Sequence, residues 1–111
     1  KSMTINDYSE KAWSTAIYPN KGKDIYYPLL GLGGETGEVF EKVKKIIRDK
    51  NGKFEQSDLE EIEKELGDIV WYINALCKTL GFNLETVLQK NIDKLKSRQE
   101  RNVLHGKGDN R

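Results

Sequence analysis

The stretch Glu35-Thr36-Gly37-Glu38-Val39 and its echo thirty residues on, Glu65-Leu66-Gly67-Asp68-Ile69, decide the fold. Both read Glu-x-Gly-acid-aliphatic, and each lies in a segment whose apolar residues recur at helical spacing. At about 100° per residue, Leu32, Thr36, Val39, Val43 and Ile46 make one stripe, with Glu35 on its edge and Glu38 about 60° further out. In the second segment Ile62, Leu66, Ile69, Ile73 and Leu80 form the stripe, Glu65 borders it and Asp68 stands outside it. If the two stripes pack against each other, Glu35, Glu38, Glu65 and Asp68 converge at one seam.

Like charges a few ångströms apart repel and raise each other's pKa, so convergence requires something positive between them. A hard divalent cation answers: Mg²⁺ takes oxygen ligands, keeps several waters and is held by a few carboxylates together with substrate phosphates. Gly33, Gly34, Gly37 and Gly67 each cost about 1 kcal/mol against Ala in a helix interior, so their clustering beside the acids implies close approach of a helix or a ligand. The competing reading is a solvated face. With 18 acidic residues in 111, acidic pairs also occur at Glu38/Glu41, Asp58/Glu61 and Glu60/Glu63, and one such pair is ordinarily surface charge. The doubling at the stripe edge makes these four residues a candidate metal site.

The run Leu30-Gly31-Leu32-Gly33-Gly34-Glu35-Thr36-Gly37-Glu38-Val39, followed by Glu65-Leu66-Gly67-Asp68-Ile69-Val70-Trp71-Tyr72, resembles the MazG-like branch of the all-α nucleoside triphosphate pyrophosphohydrolases. The likeness extends through Lys44-Lys45-Ile46-Ile47-Arg48-Asp49, through Asn91-x-x-Lys94-Leu95-x-x-Arg98 and into Gly106-Lys107-Gly108-Asp109-Asn110-Arg111. One departure is Gly34, which stands where many members carry a further acid. The resemblance implies Mg²⁺-dependent cleavage of a nucleoside triphosphate between its α- and β-phosphates, with Mn²⁺ as a substitute, in nucleotide-pool house-cleaning. It implies that Glu35, Glu38, Glu65 and Asp68 hold metal, that Glu35 or Glu38 takes the proton of the attacking water, and that the chain is a homodimer or homotetramer. Phosphoribosyl-ATP pyrophosphohydrolase shares the acid pattern and is the second enzymatic reading. The third is a non-catalytic helical dimerisation module whose acids form surface pairs such as Glu38 with Lys42 and Glu60 with Lys64.

The length of 111 residues allows one domain with a modest core, expected over 3–111, with Lys1 and Ser2 set aside as a remnant of cloning. A net charge of +1 gives no overall pull toward nucleic acid or membrane. No apolar run reaches membrane-span length and no signal peptide is evident, so a cytoplasmic location is expected. Cys77, the single cysteine, falls on an apolar arc and reads as a buried thiol. His105 has no His or Cys at ligand spacing and reads as surface.

The first helix is expected from Thr4, capping as Thr4-x-x-Asp7, to Ile17. Pro28 suits the first turn of a second helix ending at Asp49 before Asn51-Gly52. Ser57-Asp58-Leu59-Glu60 reads as a capping box for a third helix that Gly81 ends, and Asn83 caps a fourth reaching Arg101. No segment alternates with period two. The expected fold is therefore all-α and four-helix bundle-like, with two long antiparallel helices carrying the acids.

Trp13 has two readings, ordinary packing or enclosure of a nucleotide base as in the family, and Tyr26 and Tyr27 share that ambiguity. Tyr72 lies one turn beyond Asp68 on the same face and joins the substrate pocket. Ile69 to Cys77 is apolar nearly all round, with Trp71 pointing away from the seam, so a partner subunit is expected to cover it. On the fourth helix Leu84, Leu88, Ile92 and Leu95 form the packing stripe, and Asn91, Lys94 and Arg98 line up beside it. Without the family that edge is a solvated basic face; the family's Asn-x-x-Lys arrangement makes it a phosphate site. The tail from Gly106 is either a disordered end or a loop that orders over nucleotide.

Overall fold

A computed structural model describes residues 2–111 and contains four helices: α1 (Ile5–Ser14), α2 (Tyr26–Lys50), α3 (Gln56–Leu80) and α4 (Leu84–Glu100). Among the described residues there is no strand, as the absence of period-two alternation predicts. Helices α2 and α3 form an antiparallel hairpin. Their register is fixed by Lys50 on Asp58 (2.9 Å), Lys42 on Glu61 (3.2 Å) and the meeting of Glu35 with Glu65. Helix α1 packs on α3 and also meets α4.

Several helix ends differ from the sequence reading. Helix α1 stops at Ser14 rather than Ile17 because the Ser14 and Thr15 hydroxyls donate back to the carbonyls of Lys11 and Ala12 (both 2.6 Å), a local alternative to continuing the backbone ladder. Ile17 is left 94% exposed, while Ala16 and Tyr18 turn into the core. Helix α3 starts at Gln56, ahead of the expected Ser57 box. Lys50 grips both Glu55 and Asp58, and the Asp58 carboxylate accepts the Glu55 N–H at 2.9 Å. The other stops hold: Asn51 and Gly81 are left-handed at the ends of α2 and α3, and Asn83 accepts the Thr86 N–H.

The core lies between α1, the turn after it and α3. Ala16, Tyr18 and Ala75 are buried there, with Trp13 and Trp71 packed against them. Buried Asn74 accepts from the Ser9 hydroxyl (2.6 Å) and donates to the Ser9 carbonyl (3.0 Å), locking α1 to α3. Trp71, expected at a subunit interface, is half-buried within its own chain. Its ring meets Tyr18 edge-on and its Nε1–H donates to Thr15 Oγ1 at 2.9 Å.

Helix α4 corrects another expectation. Leu84 is buried, but Leu88, Ile92 and Leu95 of its stripe are exposed. The chain is correspondingly open: its radius of gyration is 17.1 Å, against about 13 Å for a compact domain of this length. No helix among the described residues is long and apolar enough to cross a membrane.

Candidate metal centre

The hairpin register places Glu35, Glu65 and Asp68 together, one carboxylate oxygen from each lying within 4.8 Å of the others. Glu35 and Glu65 are half-buried and Asp68 is exposed. Glu38 is not in this trio. It stands exposed at the rim, where it lines a groove with Lys42, Lys45 and Glu61. The Glu35 carboxyl is pushed up to about 7, first by its hydrogen bond with Glu65, then by burial and by the charges of Glu65, Asp68 and Glu38. Every charge acting on it there is negative.

Two observations test whether a cation fits. Glu65 Oε2 is buried without a hydrogen-bond partner, and the pairing that lifts Glu35 is the response of carboxylates confined together without a counter-charge. An all-oxygen, acid-rich donor set matches Mg²⁺ or Mn²⁺. The residues present fit such an ion.

Phenols flank the acids. Tyr72 is held up by burial and then by the charges of Tyr27, Glu35 and Asp68, and Tyr8 by burial and the Asp68 charge. Tyr72 thus lies where its i+4 relation to Asp68 predicts. The approach of Tyr8 to Asp68 depends on how α1 crosses α3, which no local pattern in the sequence gives. Beyond Tyr72 opens a cleft of about 250 Å³ lined by Tyr18, Tyr27, Trp71 and Tyr72, with Thr15 and Ile17 at its edge. Trp13 is not among the lining residues. It packs edge-on behind Tyr18, with the Lys21 ammonium 4.6 Å from its ring centroid.

The structure does not bring the fourth-helix residues to the acids. The Lys94 ammonium meets Asp109 at 2.7 Å, and buried Arg98 reaches the same carboxylate at 3.0 Å. These two cations hold Asp109 down to about 2. Asn91 lies on a shallow apolar surface with Phe82, Val87 and Lys94. Asp109 thus ties the tail to its own α4, and Arg111 closes the tail on itself by donating to the carbonyls of Val103 and Leu104 at 2.9 and 2.7 Å. His105 is exposed and Cys77 is buried, as expected. The surface pairs of the non-catalytic reading do not form: Lys42 turns to Glu61, and neither Glu38–Lys42 nor Glu60–Lys64 occurs among the described residues.

An all-helical hairpin with acids meeting across its seam defines the class, and the MazG nucleotide pyrophosphohydrolase domain matches residues 28–103. The chain belongs to that family. It is 44% identical over 114 residues to the Gene 37 protein of Mycobacterium phage L5, covering 98% of this chain and all of the relative. It is 31% identical over 96 residues to the uncharacterized protein YvdC of Bacillus subtilis (strain 168), covering 79% of this chain and 91% of that one. No solved structure matches the chain significantly.

Proposed function

We propose that this chain hydrolyses a nucleoside triphosphate between the α- and β-phosphates, giving monophosphate and pyrophosphate, with Mg²⁺ as its metal and nucleotide-pool house-cleaning as its role. The observation that carries the reading is the half-buried Glu65, one oxygen unpaired, beside Glu35 and Asp68. Glu35, Glu65 and Asp68 hold the ion, which when bound polarises a phosphate oxygen and lowers the pKa of water. Glu38, exposed at the rim, is free to accept the proton of the attacking water. Tyr72 joins the acidic seam to the aromatic cleft, so a base stacked in the cleft leaves its phosphates at the carboxylates.

Assembly belongs to the same reading. Phe40 on α2 is 69% exposed and Leu66 on α3 is 52% exposed, with Ile47, Leu59 and Val70 also uncovered. A second copy is the simplest cover for such a face and for the bare stripe of α4. It is also the route by which Asn91, Lys94 and Arg98 could approach a triphosphate, since α4 does not run along the acidic seam of its own chain.

The test is a panel of nucleoside triphosphates with Mg²⁺, assayed for phosphate with and without added pyrophosphatase. Phosphate released only when pyrophosphatase is present is the expected result. Release without it would move cleavage to the β–γ bond, and no release from any nucleotide would return the acids to a structural role.

A further inference from the structure

The contacts that set the register of the hairpin also order it lengthwise. Tyr72 stands against Gly31 beside the aromatic cleft, Glu65 meets Glu35 at the acids, and further on Glu61 and Asp58 meet Lys42 and Lys50. Past the acids, on the side away from the cleft, lies the groove of about 240 Å³ that Glu38 helps to line. Most of its charges are matched. Lys42 holds Glu61 at 3.2 Å, Lys50 holds Asp58 at 2.9 Å, and Glu41 and Asp49 take Lys44 and Arg48 at 2.9 and 2.7 Å. Among the described residues, the charged groups lining the groove that form no ion pair are Glu38 and Lys45. Both are exposed, and both stand on α2 two turns apart, on one face of the helix. A long side chain in a helix leans over the turn before it, so the Lys45 stem leads back along the groove toward Glu38.

We propose that Lys45 binds the pyrophosphate end of the triphosphate, as the open cation of a phosphate subsite in this groove. The proposal rests on the nucleotide reading above and deepens it. With a base in the aromatic cleft and the α-phosphate at the carboxylates, the β- and γ-phosphates continue along the hairpin into the groove. About 15 Å of helix separates Glu35 from Lys45, a span shared between the phosphates and the four-carbon stem that leans toward them. An ammonium is a compact charge with three rotatable donors, which suits the terminal oxygens of a flexible chain. Glu41 and Asp49 flank Lys45 one turn to either side, but each has a nearer cation. The ammonium therefore stays open to a ligand. Lys94 and Arg98, by contrast, are both engaged by Asp109 in their own chain.

The test measures, by titration calorimetry in Mg²⁺, the binding of inorganic pyrophosphate and of nucleoside monophosphates, so that no turnover is needed. Wild type is compared with Lys45→Ala, Lys45→Arg and the control Lys53→Ala, an exposed lysine that does not line the groove. Pyrophosphate should bind Lys45→Ala at least about tenfold more weakly, with Lys45→Arg restoring most of the loss and Lys53→Ala matching wild type. Monophosphate binding should be the same in all four proteins, and so should the melting temperature, because Lys45 is exposed and holds nothing within the chain. Equal weakening of pyrophosphate and monophosphate, unchanged pyrophosphate binding in Lys45→Ala, or no pyrophosphate binding to wild type overturns the proposal. Pyrophosphate held through Lys45 without hydrolysis of any nucleotide would keep the subsite and remove the proposed reaction. Hydrolysis with unaltered pyrophosphate affinity in Lys45→Ala would do the reverse.

Discussion

Tyr72 on α3 occupies the space that a side chain at Gly31 on α2 would need: a Cβ built there falls 2.2 Å from Tyr72 Cε1. The two helices meet at that point with backbone against ring, one turn before Glu35, so Gly31 sets the hairpin separation beside the acids. Gly33, Gly34, Gly37 and Gly67 are different. Nothing lies within 4 Å of a Cβ at any of them, so the close approach expected of these glycines does not occur within the chain.

Gly31→Ala and Gly33→Ala should therefore shift stability in opposite directions. Alanine gains about 1 kcal/mol of helix propensity at either position, but at Gly31 it collides with a ring, and overpacking costs about 1–3 kcal/mol. Urea unfolding should show Gly31→Ala destabilised and Gly33→Ala neutral or stabilised. A destabilised but folded Gly33→Ala would mean that another molecule approaches that face.

Removing a carboxylate from the trio should separate metal binding from folding. Asp68→Asn relieves like-charge repulsion, so without metal its stability should equal or exceed wild type. Mg²⁺ should then raise the wild-type unfolding free energy, by about 2.7 kcal/mol at one hundred times its Kd, and leave Asp68→Asn unmoved. Equal stabilisation of both proteins by Mg²⁺ would place the ion elsewhere.

The same cluster gives metal-free protein a pH dependence. Glu35 is raised from 4.5 to about 7 on folding, so between those values the folded state holds a proton that the unfolded state has released. Its contribution to stability is complete below 4.5 and is lost as pH rises through about 7. Urea midpoints in chelator should fall between about pH 5 and about pH 8, and Glu35→Gln should flatten that part of the profile. A wild-type profile identical to that of Glu35→Gln would contradict the Glu35–Glu65 coupling.

How much of this was readable in advance follows the range of the interactions. Thr4, Asn83 and Gly81 act on their own helix ends and were legible, as was the convergence of Glu35, Glu65 and Asp68, because a helical period fixes which face each acid shares. The start of α3 was misread because Lys50, from the preceding helix, captures Asp58. The inward turn of Trp71 and the central place of Tyr18 were hidden for a related reason. Both depend on chain reversal after Ser14, where hydroxyls overrule an apolar pattern that runs on to Ile17. The α4 stripe read as packing surface, yet periodicity does not say whether a helix is covered by its own chain.

Assembly can now be probed at residues that are exposed in the single chain. Phe40→Glu should dissociate an oligomer into folded monomers, because the charge enters a face that only a partner covers. Trp71→Glu should instead unfold the chain, since Trp71 packs on Tyr18 and bonds Thr15. Sedimentation with circular dichroism distinguishes the two effects. A wild type that stays monomeric at micromolar concentration would refute the oligomer.

The basic edge of α4 is the place where sequence and structure pull hardest against each other. Asp109 already pairs with both Lys94 and Arg98, so a phosphate would have to compete with that carboxylate. If it does, Lys94→Ala should reduce kcat/KM by at least about tenfold, equivalent to roughly 1.4 kcal/mol of transition-state stabilisation. Asp109→Asn should lower KM, because an amide competes poorly for a cation, and should loosen the tail, seen as faster amide exchange after Val103. The control Lys96→Ala, at an exposed position, should leave both quantities unchanged. Normal kinetics in Lys94→Ala and Asp109→Asn, with faster tail exchange in each, would assign the edge to holding the tail alone. The acids would then carry the chemistry without it.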